Sequence, residues 1–192
     1  MNPLQLILGD EEFLIDRATS SIIRAVRSTM QSNPEELPIT KLRAGDVTPS
    51  EISELLSPSL FAEDRVVILA AAGEAGKEAV STIEQAVKEP APGVVLIVIH
   101  SGGGRAKNLV KILKNAGADV TECPKLTKFS EREDFVVNEF RNLGVRPSRD
   151  TVHALLDAIG GDLRELASAV SQLVADTCLL YTSDAADEGL GV

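Results

Sequence analysis

Tryptophan is absent from this chain of 192 residues, and tyrosine and phenylalanine together supply six. A hydrophobic core must therefore be assembled from Val, Ile, Leu and Ala. Cysteine occurs twice, at Cys123 and Cys178, which excludes a disulfide framework and a zinc-ligand spacing. Cys123 reads as a small, buried filler. Long apolar runs are missing: the strongest, Val94 to Ile99, is far shorter than the roughly 20 residues needed to cross a bilayer. The first residues have no charged region, apolar stretch or cleavage site of a secretory signal. These absences predict a cytoplasmic protein that does not use a membrane. Positive charge is also scarce, with 19 Lys and Arg against 29 Asp and Glu and a net charge of -10. A chain so acidic does not hold duplex DNA by its bulk electrostatics, so any DNA contact is local or made through partners.

What is present is 44% hydrophobic sequence, enough for one main core and a smaller satellite. Leu4 to Leu8 reads as a strand stopped by Gly9-Asp10. Phe13, Ile15, Ala18, Ile22, Ile23 and Val26 recur at helical spacing from Glu12 to about Met30. Pro38 to Leu42 reads as a strand. Thr48-Pro-Ser-Glu51 then opens a short helix to Leu56 with a capping box and proline at the first helical position. Arg65 to Ala70 reads as a buried strand, Glu74 to Val87 as a helix, and Gly93 to Ile99 as a strand covered on both faces. A helix over Lys107 to Asn115, closed by Gly117, and a strand over Ala118 to Thr121 complete the alternation. It predicts an α/β domain with a parallel sheet over residues 1–125. Beyond Pro124 the pattern is helical only: Ser130 to Leu143 behind a Ser130-x-x-Glu133 capping box, Ser148 to Ile159, and Asp162 to about Ala175. These predict a three-helix domain over residues 126–177.

From Cys178 to Glu188 the sequence changes character. It reads as the end of a transposase library adapter translated in one frame, so residues 178–192 are expected to be a non-native tail and are set aside from the fold.

Several places could hold chemistry. The first strand runs into Gly9-Asp-Glu-Glu-Phe13, where a phosphate loop would need Gly-x-x-x-x-Gly-Lys-Ser/Thr. Three carboxylates stand where donors are required. Gly73-Glu-Ala-Gly76-Lys77-Glu78 has a Gly-Lys pair but lacks the first glycine and the hydroxyl, and reads as a helix start. Gly102-Gly103-Gly104-Arg105 precedes a helix, so it is either a flexible loop or an anion site. Arg105, Lys107, Lys111 and Lys114 form a basic stripe, either a solvated face or a contact for DNA or a partner. His100 and His153 have no partnering motif and read as structural. No nucleophile, zinc or paired-carboxylate motif stands out, so no catalysis and no cofactor are expected. Finally, Ser57-Pro-Ser-Leu60-Phe61-Ala62 sets two large apolar residues in a turn. Either they are an exposed anchor for a partner, or they staple the loop to the core.

Leu6-Ile-Leu-Gly-Asp-Glu-Glu-Phe-Leu14 resembles the opening of the delta subunit of bacterial DNA polymerase III clamp loaders, in which a degenerate loop replaces the phosphate-binding motif. Ser59-Leu60-Phe61 before a hydrophobic strand resembles that family's clamp-binding element. Gly161-Asp-Leu-Arg-Glu-Leu166 resembles the last helix of its lid domain. The resemblance covers about Leu4 to Ala175 and rests on the order of these motifs. It implies an AAA+-type α/β domain and a three-helix lid, without the family's C-terminal collar. It also implies a subunit that binds and opens the β sliding clamp while its ATP-binding gamma/tau neighbours and delta prime complete the loader on primed DNA. DNA-directed DNA polymerase activity would belong to the whole holoenzyme. Leu60 and Phe61, beside Ser59, would be the wedge. The rival reading is a nucleotide-binding ATPase or sensor using Gly9 or Gly76-Lys77.

Overall fold

The β-branched runs form five parallel strands. The computed structural model describes residues 1–29, 37–58 and 64–187, the last ten as backbone alone. The strands are β1 (Leu4–Gly9), β2 (Ile39–Arg43), β3 (Arg65–Ala70), β4 (Val94–His100) and β5 (Asp119–Cys123), in spatial order β2-β3-β4-β1-β5. Every pairing is parallel, with Leu6 opposite both Val98 and Val120. The interior strands β1, β3 and β4 are almost wholly apolar because helices cover both of their faces. On one face α2 (Pro49–Leu56), α3 (Lys77–Lys88) and α4 (Asn108–Asn115) set Ile52, Ile83 and Leu109 against Leu6, Leu69 and Val98. On the other, α1 (Glu12–Thr29) sets Ile15, Ile22 and Val26 against Ile7, Ile68 and Ile97. Each such aliphatic side chain contributes about 1.5–3 kcal/mol when fully buried. Among the described residues, no Phe, Tyr or Trp side chain is buried in this sheet domain.

One expected helix breaks. In place of a helix from Glu74, a 3-10 turn spans Ala72–Glu74 and α3 starts at Lys77. Ala71 takes the left-handed conformation (φ 50°), and Gly76 is the extended N-cap residue, so the chain turns twice before a helix can propagate.

The chain divides into two compact units after Lys125. The second unit holds α5 (Phe129–Asn142), α6 (Arg149–Ile159) and α7 (Leu163–Asp187). Its core is Phe135, Val136, Phe140, Val152, Leu156, Leu166 and Val170. Ser148 caps α6 by accepting from Thr151 N–H at 3.1 Å. Asp162 Oδ1 accepts from Arg164 and Glu165 N–H at 2.9 and 3.0 Å and starts α7. Two boundaries differ from expectation. α5 begins one residue before Ser130, and Glu131, not Glu133, reaches back to the backbone of Thr127 and Lys128. α7 continues to Asp187 instead of ending near Ala175, since no glycine or proline interrupts Leu163 to Asp187.

Candidate functional site

In parallel α/β sheets, ligands bind beyond the carboxyl ends of the strands where the strand order reverses. Here that place is the turn after β1, whose neighbours are β4 and β5. Only Asp10 and Glu11 separate β1 from α1. Their two N–H groups both donate to the Cys123 carbonyl at 3.1 Å, so the donors that would cradle a phosphate are already used. Gly9 permits this closure: its φ is +147°, and a Cβ there would lie 2.0 Å from the Cys123 oxygen. Asp10 and Glu11 add negative charge, and Lys125 approaches Asp10 at 4.0 Å. Cys123 is buried, which pushes its thiol pKa up and keeps it an inert filler.

Hydrogen bonds hold both ends of the glycine loop after β4. His100 is fully buried; its Nδ1 accepts from Gly102 N–H at 2.8 Å and its Nε2 faces the Ala106 carbonyl at 3.2 Å. That assigns the neutral tautomer with the proton on Nε2. Ala106 N–H donates to the Gly73 carbonyl at 3.1 Å, and a Cβ on Gly104 would lie 2.5 Å from that same oxygen. Arg105 Nε donates to the Glu74 carbonyl. The Glu74 carboxylate takes two bonds from Arg43, at 2.8 and 2.9 Å, which hold its pKa below the usual carboxylate range. Gly76-Lys77 is the start of α3, as expected, and Lys77 borders an open groove of about 440 Å³ with Arg105, Ser81 and Glu84.

Lys107, Lys111 and Lys114 are exposed along α4 at spacings of four and three residues, so they share one face. Arg105 stands at the head of this stripe but is anchored to Glu74.

Ser59, Leu60 and Phe61 lie outside the described residues, while both flanks are described. Before them, Thr48 accepts from Glu51 N–H at 3.3 Å, and Glu51 returns a carboxylate oxygen to Thr48 N–H at 2.8 Å, completing the expected capping box. The Thr48 backbone bond draws the Glu51 pKa below the usual range. After them, Arg65 opens β3 and its Nη2 donates to the Ser57 carbonyl. Beside this base, Leu56, Ser57, Pro58, Ala86, Pro90 and Pro92 help line a shallow groove of about 440 Å³. Neither the Arg65 link nor the His100 lock was found from sequence, because both are contacts with backbone carbonyls that leave no side-chain motif.

His153 pairs with Glu133 at 3.3 Å and meets the Phe129 ring edge-on at 5.4 Å, which joins α6 to α5. Among the described residues, no three His, Cys, Asp or Glu side chains are placed to hold a metal. No described helix is long and apolar enough to cross a membrane.

The family profile for DNA polymerase III, delta subunit, matches residues 6–124. Among solved structures, the chain is similar to the Bacillus subtilis DNA clamp loader delta protein, with a TM-score of 0.73 and 22% identity. That match covers 92% of this chain and 54% of the other. It is also similar to the Thermotoga maritima RuvB Holliday junction branch migration motor, with a TM-score of 0.50 and 10% identity over 93% of this chain and 56% of that one. At these identities the likeness speaks for the fold: an AAA+-like parallel sheet with flanking helices. The chain spans little more than half the length of either protein. No curated protein matches it in sequence.

Proposed function

The chain belongs to the DNA polymerase III delta-subunit family, and from that premise we propose that it serves in the clamp loader without hydrolysing ATP. It grips the β sliding clamp through Ser59, Leu60 and Phe61 and opens one interface of the ring for loading onto primed DNA. The observation that carries this reading is the closed turn after β1. An ATPase-type sheet whose phosphate-binding turn has spent its N–H groups on Cys123, and carries carboxylates besides, is suited to transmit force between partners and not to bind a triphosphate.

Leu60 and Phe61 supply the grip, each contributing about 1.5–3 kcal/mol when buried in an apolar pocket. Opening requires that the subunit bind the open interface more tightly than the closed one, since only that difference shifts the ring's population. ATP is bound by the gamma/tau subunits, and delta prime completes the assembly in the cytoplasm. Polymerase activity belongs to the holoenzyme. Lys107, Lys111 and Lys114, headed by Arg105, offer a local contact to DNA phosphates once the complex holds the DNA, because the chain's net charge of -10 gives it little hold alone.

Capture of the cognate clamp tests the reading. Leu60→Ala with Phe61→Ala should weaken binding by roughly 100-fold or more; unchanged binding rejects it. Equilibrium dialysis with ATP and magnesium should show no saturable uptake at micromolar ATP. Saturable uptake would favour a nucleotide sensor.

A further inference from the structure

We propose that the outer face of α1 is a DNA-binding surface in its own right, holding the phosphate backbone of a duplex through Arg17, Arg24 and Arg27. It lies on the side of the sheet opposite α4 and does not depend on the reading of the clamp-binding residues above.

The face follows from how α1 packs. Leu14, Ile15, Ala18, Ile22, Ile23 and Val26 turn toward the sheet. At 3.6 residues per turn this leaves Arg17, Ser20, Ser21, Arg24, Arg27 and Ser28 within about a third of the helix circumference. All six are exposed. No Asp or Glu occurs from Arg17 to Thr29, in a chain that has 29 of them. The patch is a basic island on an acidic molecule.

Stabilisation of the helix does not account for it. Among the described residues, neither Arg24 nor Arg27 has an ion pair. The positions three and four away from Arg24 are Ser20, Ser21, Arg27 and Ser28, so no carboxylate of the helix can neutralise it, and its one charged neighbour repels it. The helix dipole favours a cation in the last turn, which explains Arg27 but neither Arg17 nor Arg24.

The chemistry of the face fits phosphate. A guanidinium donates two parallel hydrogen bonds to phosphate oxygens, and serine hydroxyls are common phosphate contacts that let a backbone approach closely. An acidic protein surface would also attract the arginines, but serine is depleted at protein interfaces, and here it fills the space between them. Arg17 lies over the Phe13 ring at 4.5 Å, which props the amino end of the row. From Arg17 to Arg27 the helix rises about 15 Å, a length over which one strand of a duplex carries about four phosphates. Each arginine can therefore meet a phosphate of its own. Because α1 and α4 cover opposite faces of the sheet, one straight duplex cannot lie along both, and the two basic surfaces take different segments of nucleic acid.

The experiment follows binding of an end-labelled duplex to the whole chain by fluorescence anisotropy across a salt series, since the acidic remainder of the molecule makes the hold weak at high salt. The paired change Arg24→Gln with Arg27→Gln should weaken binding at least tenfold at about 50 mM salt and make the plot of log affinity against log salt shallower by about 1.8. Arg24→Lys with Arg27→Lys should keep the slope, because the charge is kept, and lose part of the affinity with the bidentate geometry. The same reduction in slope is expected after Lys107, Lys111 and Lys114 have been changed to Gln, as separate surfaces contribute independently. An unaltered slope in the paired Gln variant would overturn the proposal, as would no duplex binding by the unaltered chain at about 50 mM salt. Disappearance of the arginine effect in the lysine-neutralised chain would overturn the separateness of the two surfaces. Competition by polyglutamate as effective, charge for charge, as by unlabelled duplex would reject DNA in favour of an acidic protein partner. Should the paired Gln variant fail to melt as the unaltered chain does, Arg24→Gln alone decides, with an expected change in slope of about 0.9 and rejection if there is none.

Discussion

At Gly9 the backbone adopts φ +147° with the Cys123 carbonyl so near that a side chain has no room. A single methyl group would have to displace β5 or undo the two N–H bonds that close the turn. Gly9→Ala should therefore destabilise the protein by about 3 kcal/mol or more, read as a lowered urea midpoint at pH 7. A change within about 0.5 kcal/mol would mean that the turn is not held as tightly as its geometry indicates. The identity of Gly9 was plain in the sequence, and so was the unsuitable charge of the loop after it. That its N–H groups are consumed by a residue more than a hundred positions away was not, because nothing local to Cys123 marks its carbonyl as an acceptor. Arg65 and His100 are alike in this: each works through backbone carbonyls.

Among the helices, α2 and α5 show when a capping motif can be trusted. Thr48-Pro-Ser-Glu51 has one candidate cap, and the helix forms as the motif indicates. Thr48→Ala should cost about 1 kcal/mol in urea unfolding, with the fold otherwise intact. At α5 two carboxylates compete two residues apart. Ser130-x-x-Glu133 has the better signature, yet Glu131 closes onto Thr127 and Lys128, while Glu133 is drawn to His153 at 3.3 Å and Arg149 at 3.8 Å on α6. A contact between helices decided the register of the first turn, and no window confined to α5 contains that information. The break before α3 has a similar origin, in the packing of the Gly73 backbone against Gly104.

Over the whole molecule, acid should reveal how the carboxylates are used. Glu51, Glu74 and Glu131 all have lowered pKa values, caused by the Thr48 backbone bond, the Arg43 hydrogen bonds and the Lys128 backbone bond respectively. A carboxylate with a depressed folded-state pKa stabilises the fold above its unfolded value, about 4.3 for Glu, and loses that contribution as the pH falls through the folded value. The melting temperature should thus be insensitive to these groups between pH 8 and about pH 5 and should decline below about pH 4. Replacing all three with Gln should lower it at neutral pH and flatten the acid limb. An acid limb as steep as that of the unaltered chain would show that other groups govern it.

The α/β class, the extent of most strands and helices, and the poverty of the first loop as a phosphate site were all legible from the order of residues. Burial on both faces demands continuous apolar runs, helices demand their own period, and charge acts wherever it stands. The spatial order of the strands, the sealing of the β1 turn by Cys123, the bonds at the ends of the glycine loop and the bond from Arg65 to Ser57 emerge only when distant segments meet. Backbone donors and acceptors are the same at every residue, so a chain cannot advertise which of them it will pair across the fold.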